Sequence, residues 1–383
     1  MRKILAITGG RSDYFLMRPT YQAIMAHPKL ELVLIVSGAH LSPLHGGTLK
    51  DVEADGFPIA ARIENLLQSD GPAARLKAAA TQLQVISHII GDIAPDILLV
   101  PMDREEAINL AICAAYLCIP AVHYGAGDRS YGHVDDMVRH AASRLCHIML
   151  TASDDSRHRL IQAGEEVWRV LNVGSCGLDR LRTTPDLGRA GLALALGVER
   201  VNEQYLVVVQ HPISSDLERS GEYMVETLEA ALLSGLQVFV SYPNSDSGSQ
   251  LIVEVIEKYA THPRIEVFRN VPEIPFVNLL RKASCLMGNS SMGLYEGPYL
   301  HLPVINAGAR QTNRIHSENV FYTGNDRVEI ARQLDLILHD PSTQQRVANC
   351  QQPFGDGRTA PRIAELLAEL TIDKRLLTKD LTF

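Results

Sequence analysis

A chain of 383 residues is too long for one ordinary core and predicts two domains. Apolar residues at 46% and charged residues at 21% are the balance of a folded globular protein rather than a disordered one. A net charge of −8 leaves no basic excess for nucleic acid or an anionic membrane surface, although a few arginines can still hold a small phosphorylated ligand.

The N-terminal apolar stretch breaks off at Thr8-Gly9-Gly10-Arg11. It is too short for the apolar region of a signal peptide and reads as a first buried strand. The longest apolar stretch, 107–122, carries Asn109 and Pro120 and falls short of the ~20 residues of a membrane span. Six cysteines without a CxxC pair sit mostly in apolar runs, which predicts reduced core thiols and a cytoplasmic location.

A short apolar run, a Gly-rich or polar turn and an amphipathic helix recur along the chain. Strands are predicted at 4–7, 32–36, 97–100, 121–124, 147–151 and 170–173. Their near-continuous Val, Ile and Leu character marks strands buried on both faces, as in parallel sheets covered by helices. A polar stretch at 183–188 interrupts the pattern, which restarts with strands at 205–209, 238–241, 265–268, 285–287 and 304–306. The expectation is an α/β protein of two Rossmann-like, doubly wound domains, 1–180 and 181–370, followed by a short appendage at 371–383. Two such domains facing each other would leave a cleft at their strand C-termini, where ligands of open α/β sheets bind.

Residues of unusual chemistry cluster at those strand ends. The first turn, Thr8-Gly9-Gly10-Arg11-Ser12-Asp13, combines close backbone approach with a helix N-terminus suited to a phosphate; the plainer reading makes Ser12 or Asp13 a helix cap. Asp103, in Pro101-Met102-Asp103-Arg104-Glu105-Glu106, is either a proton-transfer carboxylate or a cap, with Glu105 and Glu106 favouring the helix dipole. The Gly-rich stretch from His123 to His140 brings Asp128, Asp135, Asp136 and Arg139 towards one helix start, where an ion pair is the structural alternative. His211 beside Pro212 ends a strand of the second half and suits a phosphate contact, a proton donor or a buried core histidine. In Gly288-Asn289-Ser290-Ser291, the hydroxyls of Ser290 and Ser291 with helix-terminal amides could cradle a diphosphate, and Glu296 could accept from ribose hydroxyls. No HExxH, GxGxxG or Walker Lys occurs, so neither a metal nor a redox cofactor is expected.

In this order the stretches resemble the UDP-N-acetylglucosamine 2-epimerase family, and specifically its hydrolysing branch, as in sialic- and legionaminic-acid pathways. The resemblance runs over nearly the whole chain. Its residues include Gly10-Arg11-Ser12-Asp13-Tyr14, Ser37-Gly38-Ala39-His40, Asp103-Arg104, Val134-Asp135-Asp136-Met137-Val138-Arg139-His140, His211-Pro212, Tyr242-Pro243-Asn244-Ser245 and Asn306-Ala307-Gly308-Ala309-Arg310-Gln311. It implies a GT-B arrangement and a homodimer or homotetramer. It also implies UDP held by His211, Asn244, Val271, Ser290, Ser291, Glu296 and Arg310, with Arg11 and Asp13 closing from the first domain. Asp103, Asp128, Asp135 and Arg139 would surround the sugar. The implied reaction removes the C2 proton, expels UDP from C1 to leave a 2-acetamidoglucal, and adds water to give a free sugar inverted at C2. The alternatives are a non-hydrolysing epimerase, a GT-B glycosyltransferase and a non-catalytic UDP-sugar-binding protein. The chain departs from the family pattern at Gly125, where a Glu or His is common, at Asp128, usually Glu, and at Met102 and Asn313, usually Gly. Gly125 predicts vacant space in the sugar pocket, lined by Tyr124, Tyr131 and Met102, that would admit a second acetamido group.

Overall fold

Strands with apolar residues at every position must be covered on both faces, and the structure, a computed structural model, covers them with helices. It describes the whole chain except residues 44–47, 69–70, 130–133, 214–215, 244–247, 270, 381 and 383, and the side chain at 72. The chain divides into one unit of Met1–Arg180 with Phe354–Phe383 and a second of Leu181–Pro353.

The sheet of the first unit contains β1 (Arg2–Thr8), β2 (Leu30–Ser37), β3 (Ile59–Ile63), β4 (Ile97–Pro101), β5 (Ala121–Tyr124), β6 (Ile148–Thr151) and β7 (Val170–Asn172). Their order is β3-β2-β1-β4-β5-β6-β7, all pairs parallel. Alternation along β1 shows how both faces are filled: Ile4 and Ala6 enter one core, Leu5 and Ile7 the other. The strand order reverses between β1 and β4, and such a switch point leaves a crevice at the strand C-termini.

The second unit repeats the plan with β8 (Tyr205–Val209), β9 (Gln237–Ser241), β10 (Ile265–Phe268), β11 (Cys285–Gly288), β12 (Val304–Ala307) and β13 (Val320–Thr323). The order β10-β9-β8-β11-β12-β13 is again all parallel, with its switch point between β8 and β11. Leu206 and Val208 pack on one side of the sheet, Tyr205, Val207 and Val209 on the other.

One boundary differs from the expectation. The helix Thr359–Glu369, assigned from the sequence to the second domain, belongs to the first unit: Ile363, Ala364 and Leu367 lie in the same core as Ile4 and Met17. The Asp179 carboxylate receives the first amides of that helix, Thr359 N at 3.0 Å and Ala360 N at 2.9 Å, in place of a cap from within the helix. The described residues of the short appendage expected after 370 group with the first unit as well. Leu376 is buried in the first core, and the fully buried Arg169 guanidinium donates to the carbonyls of Leu376, Arg375 and Thr378 at 2.8–2.9 Å. Lys379 Nζ reaches the carbonyls of Ser143, Arg144 and Cys146. Among the described residues, no helix is long and apolar enough to cross a membrane, and all six cysteines are free thiols.

Candidate active site

Of the predicted residues of the first unit, Arg11, Asp13 and Asp103 fall on the two turns that flank its switch point, while Asp128, Asp135 and Arg139 follow β5. After β1, the Asp13 carboxylate folds back on its own turn: it accepts from Thr8 Oγ1 at 2.6 Å, Gly9 N at 3.1 Å and Gly10 N at 2.9 Å. The capping reading of Asp13 therefore describes its contacts, and through them Asp13 shapes the turn that presents Arg11 and Ser12. Thr8 Oγ1 also lies 3.0 Å from Nε2 of the buried His40, whose Nδ1 meets Thr48 Oγ1 at 2.7 Å.

After β4, Asp103 does not cap the helix Glu105–Leu117; Arg104 holds that position, without a side-chain cap. Asp103 turns instead to Arg139 on the helix Val134–Leu145 and forms an ion pair with its almost fully buried guanidinium. Burial raises the Asp103 carboxyl above the usual carboxylate range, Arg139 pulls it down, and Asp135 adds to the rise. Asp135 meets Arg75 at 3.4 Å, and the same arginine pairs with Glu105. Asp136 stands 3.9 Å from Arg139. The structure thus brings Asp103, Asp135 and Arg139 into one charged cluster. Asp128 stands on the turn after β5, its carboxylate accepting from Arg129 N at 2.8 Å. Ser12, Asp13, Met102, Asp103, Arg104 and Glu106 line a pocket of about 140 Å³.

The vacancy expected at Gly125 is filled. A Cβ on Gly125 would lie 2.8 Å from Met102 Sδ, so the thioether already occupies that space. Tyr124 does not line it as expected either: its hydroxyl accepts from Cys176 N at 2.7 Å, inside the core. Tyr131 lies outside the described residues.

Two groups of this unit escape a reading from sequence alone. Glu106, which looked like a dipole partner, is buried beneath the first turn, with Gln82 Nε2 at 3.2 Å and Ser37 Oγ at 3.5 Å from Oε1. A Cβ on Gly9 would fall inside its carboxyl group, so Gly9 is required by this approach. Burial first, and then the negative field of Asp13, raise Glu106 to about 7. His123, fully buried and held neutral by a pKa lowered to about 4, donates from Nε2 to Met102 O at 2.6 Å. For His123 the signal is a polar residue inside an otherwise apolar strand; for Glu106 the helix-dipole reading masks the burial.

In the second unit the turns after β8 and β11 meet. Asn289 Oδ1 accepts from His211 N at 2.7 Å and Asn289 Nδ2 donates to His211 O at 2.9 Å, so one buried amide brackets the main chain of the histidine. Arg310 Nη1 at 3.2 Å and Gln311 Nε2 at 3.0 Å converge on Asn289 O. Gly288, at φ +121°, leaves no room for a side chain against Val209 O. Ser290 is buried and Ser291 starts a helix of only four residues, Met292–Tyr295, so the helix-dipole contribution expected there is small. Glu296 ends that helix, and Val271 precedes the helix Glu273–Arg281. Asn244 lies outside the described residues.

A family model described as UDP-N-acetylglucosamine 2-epimerase matches residues 22–368. The chain belongs to the UDP-N-acetylglucosamine 2-epimerase family. A relative from Legionella pneumophila, named UDP-N,N'-diacetylbacillosamine 2-epimerase (hydrolyzing), is 32% identical over 379 residues, 99% of both chains. One from Campylobacter jejuni, named GDP/UDP-N,N'-diacetylbacillosamine 2-epimerase (hydrolyzing), is 30% identical over 323 residues, 83% of both. Among solved structures, the UDP-GlcNAc 2-epimerase of Neisseria meningitidis bound to UDP-GlcNAc superposes with a TM-score of 0.80 at 17% identity, covering 95% of this chain and 99% of that one. The epimerase family's fold, the GT-B class of two Rossmann-like units, is the fold of this chain.

Proposed function

We propose that this epimerase-family protein is a hydrolysing UDP-N-acetylhexosamine 2-epimerase, releasing UDP and the free sugar inverted at C2. Similarity over 99% and 83% of the chain to relatives named as hydrolysing 2-epimerases supports the reaction. The observation that carries the site is the Asp103–Arg139–Asp135 cluster at the first unit's switch point.

The chemistry needs two opposed proton transfers and a stabilised leaving group. A carboxylate takes the C2 proton while the C1–O bond to UDP breaks, leaving a C1=C2 double bond. Water then supplies hydroxide to C1, and a proton returns to C2 on the other face. Asp103 is one proton-transfer group: burial lifts its pKa towards the working range, and Arg139 fixes its orientation. Asp128 or Asp135 is the other. His211, its backbone held by Asn289, stabilises the departing diphosphate with Arg310, Ser290 and Ser291, and Glu296 accepts from the ribose. Arg11, on a turn shaped by Asp13, is a further nucleotide contact, as are Val271 and Asn244. No metal or redox cofactor takes part. The protein works in the cytoplasm as a homodimer or homotetramer.

Turnover in deuterated water tests this reading. With UDP-N-acetylglucosamine and its diacetamido analogue, equimolar UDP and free sugar carrying deuterium at C2 are expected. Free sugar without the label would replace epimerisation by plain glycosyl hydrolysis, and a labelled sugar still joined to UDP would mean the non-hydrolysing reaction.

A further inference from the structure

Among the described residues, five non-glycine residues adopt a left-handed backbone: Ala94, Met102, Cys118, His301 and Asn313. Ala94, Cys118 and His301 are C-caps of helices, where that conformation is ordinary, and Asn tolerates it. Met102 is different: a long apolar side chain at φ +48°, between β4 and the next helix, on the wall of the pocket that holds Asp103. Such strain persists only where neighbours enforce it, and it concentrates at functional sites.

The neighbours are visible. Met102 N donates to Tyr124 O at 2.9 Å, and Met102 O accepts from the buried His123 imidazole at 2.6 Å. Gly125, itself at φ +81°, supplies the space that the sulfur fills. Three consecutive features of the neighbouring strand end therefore hold one side chain in an unfavourable backbone conformation. Turning Asp103 towards Arg139 does not require that side chain, because glycine would make the same turn without strain.

We propose that Met102 is the specificity-determining residue of the sugar pocket. Its thioether forms an apolar, polarizable wall that receives a methyl-tipped substituent of the hexose, such as a 4-acetamido group or a 6-deoxy carbon, in preference to free hydroxyls. This rests on the assignment of the sugar to the Asp103 pocket. A thioether packs readily against methyl groups but offers a hydroxyl almost no hydrogen bond, so a hydroxyl placed there is desolvated without compensation. The wall thus favours a diacetamido sugar of the kind for which the Legionella pneumophila and Campylobacter jejuni relatives are named over UDP-N-acetylglucosamine.

Met102→Gly and Met102→Gln separate the wall from the turn. Glycine keeps the turn and removes the wall; glutamine keeps the length and replaces sulfur with a polar amide. The unmodified protein should favour the diacetamido substrate in kcat/KM, and both variants should reduce that preference by about tenfold or more, the usual size of a misplaced group in a filled pocket. A preference that stays within twofold of the parent in both variants, or a parent with no preference, overturns the proposal. If the parent turns over neither sugar, the assigned reaction fails. Met102 is then judged by the affinities of the two UDP-sugars in calorimetry, with the same tenfold loss expected and the same twofold limit overturning it.

Discussion

Asp103 and His211 stand for two kinds of contribution, and their variants should separate. Asp103→Asn keeps the shape but cannot take a proton, so kcat should fall by about 10²–10⁴-fold while UDP affinity stays within a few-fold. His211→Ala should weaken UDP binding and turnover together, since it removes a contact to charge on the leaving group. If Asp103→Asn turns over like the parent, its pairing with Arg139 is only structural. Glu106 makes a separate prediction. Its pKa rises from the ordinary 4.5 to about 7 in the fold, so the folded state binds the extra proton between those values. Stability from this group is complete below pH 4.5 and is lost as pH climbs to 7, by about 3 kcal/mol at 1.4 kcal/mol per unit. His123, lowered from 6.5 to about 4, acts in the opposite sense and loses stability as pH falls from 6.5 to 4. The Glu106→Gln difference isolates the first effect: this variant should gain in melting temperature over the parent at pH 8.5 and lose the advantage at pH 4.5. An equal difference at both pH values would contradict a buried ionisation. Asp103 could be nominated from sequence because an acid at a strand end is conspicuous. Glu106 and Asn289 could not, because an acid in a first helical turn and an amide in a small-residue turn have ordinary explanations.

Elements were legible in proportion to their burial. The strands of the sheet interiors show up as unbroken apolar runs and were placed within a residue or two. The two missed strands, β3 and β13, are both sheet edges. In β3, Ile-Ala-Ala-Arg-Ile, only Ile63 is buried, so its composition resembles a loop; β13 is four residues long with Tyr322 exposed. The helix Thr359–Glu369 reads as part of the second domain, and 371–383 as an appendage, because a helical pattern announces an apolar face and not the sheet it will cover. The tail, with one buried leucine, carries even less periodic signal. Its importance lies in backbone carbonyls, to which composition is blind. Ending the chain at residue 371 would leave the Arg169 guanidinium buried without the Leu376, Arg375 and Thr378 carbonyls. Glu166 and the His147 carbonyl would still hold the guanidinium, and the truncated protein should lose about 3 kcal/mol in chemical denaturation, the size expected when a buried charged donor loses several acceptors. An unchanged midpoint would mean that water replaces the tail at no cost.

At the scale of the molecule, duplication of one topology was readable and the path of the chain between the copies was not. Each sheet has its switch point where the sequence sets its oddest residues: Gly9 and Asp103 in the first, His211 and Ser290 in the second. The return of Phe354–Phe383 to the first unit has a consequence for biogenesis. As the nascent chain leaves the ribosome, residues 1–180 emerge first, yet the helix that covers Tyr14, Met17 and Tyr21 and the tail whose carbonyls receive Arg169 are made only after the second unit. The second unit, contiguous in sequence, has all its pieces while the first still exposes an apolar face. Vectorial synthesis therefore inverts the order of the units: the half that holds Asp103 is begun first and sealed last, and until then its open core is a natural client for a chaperone.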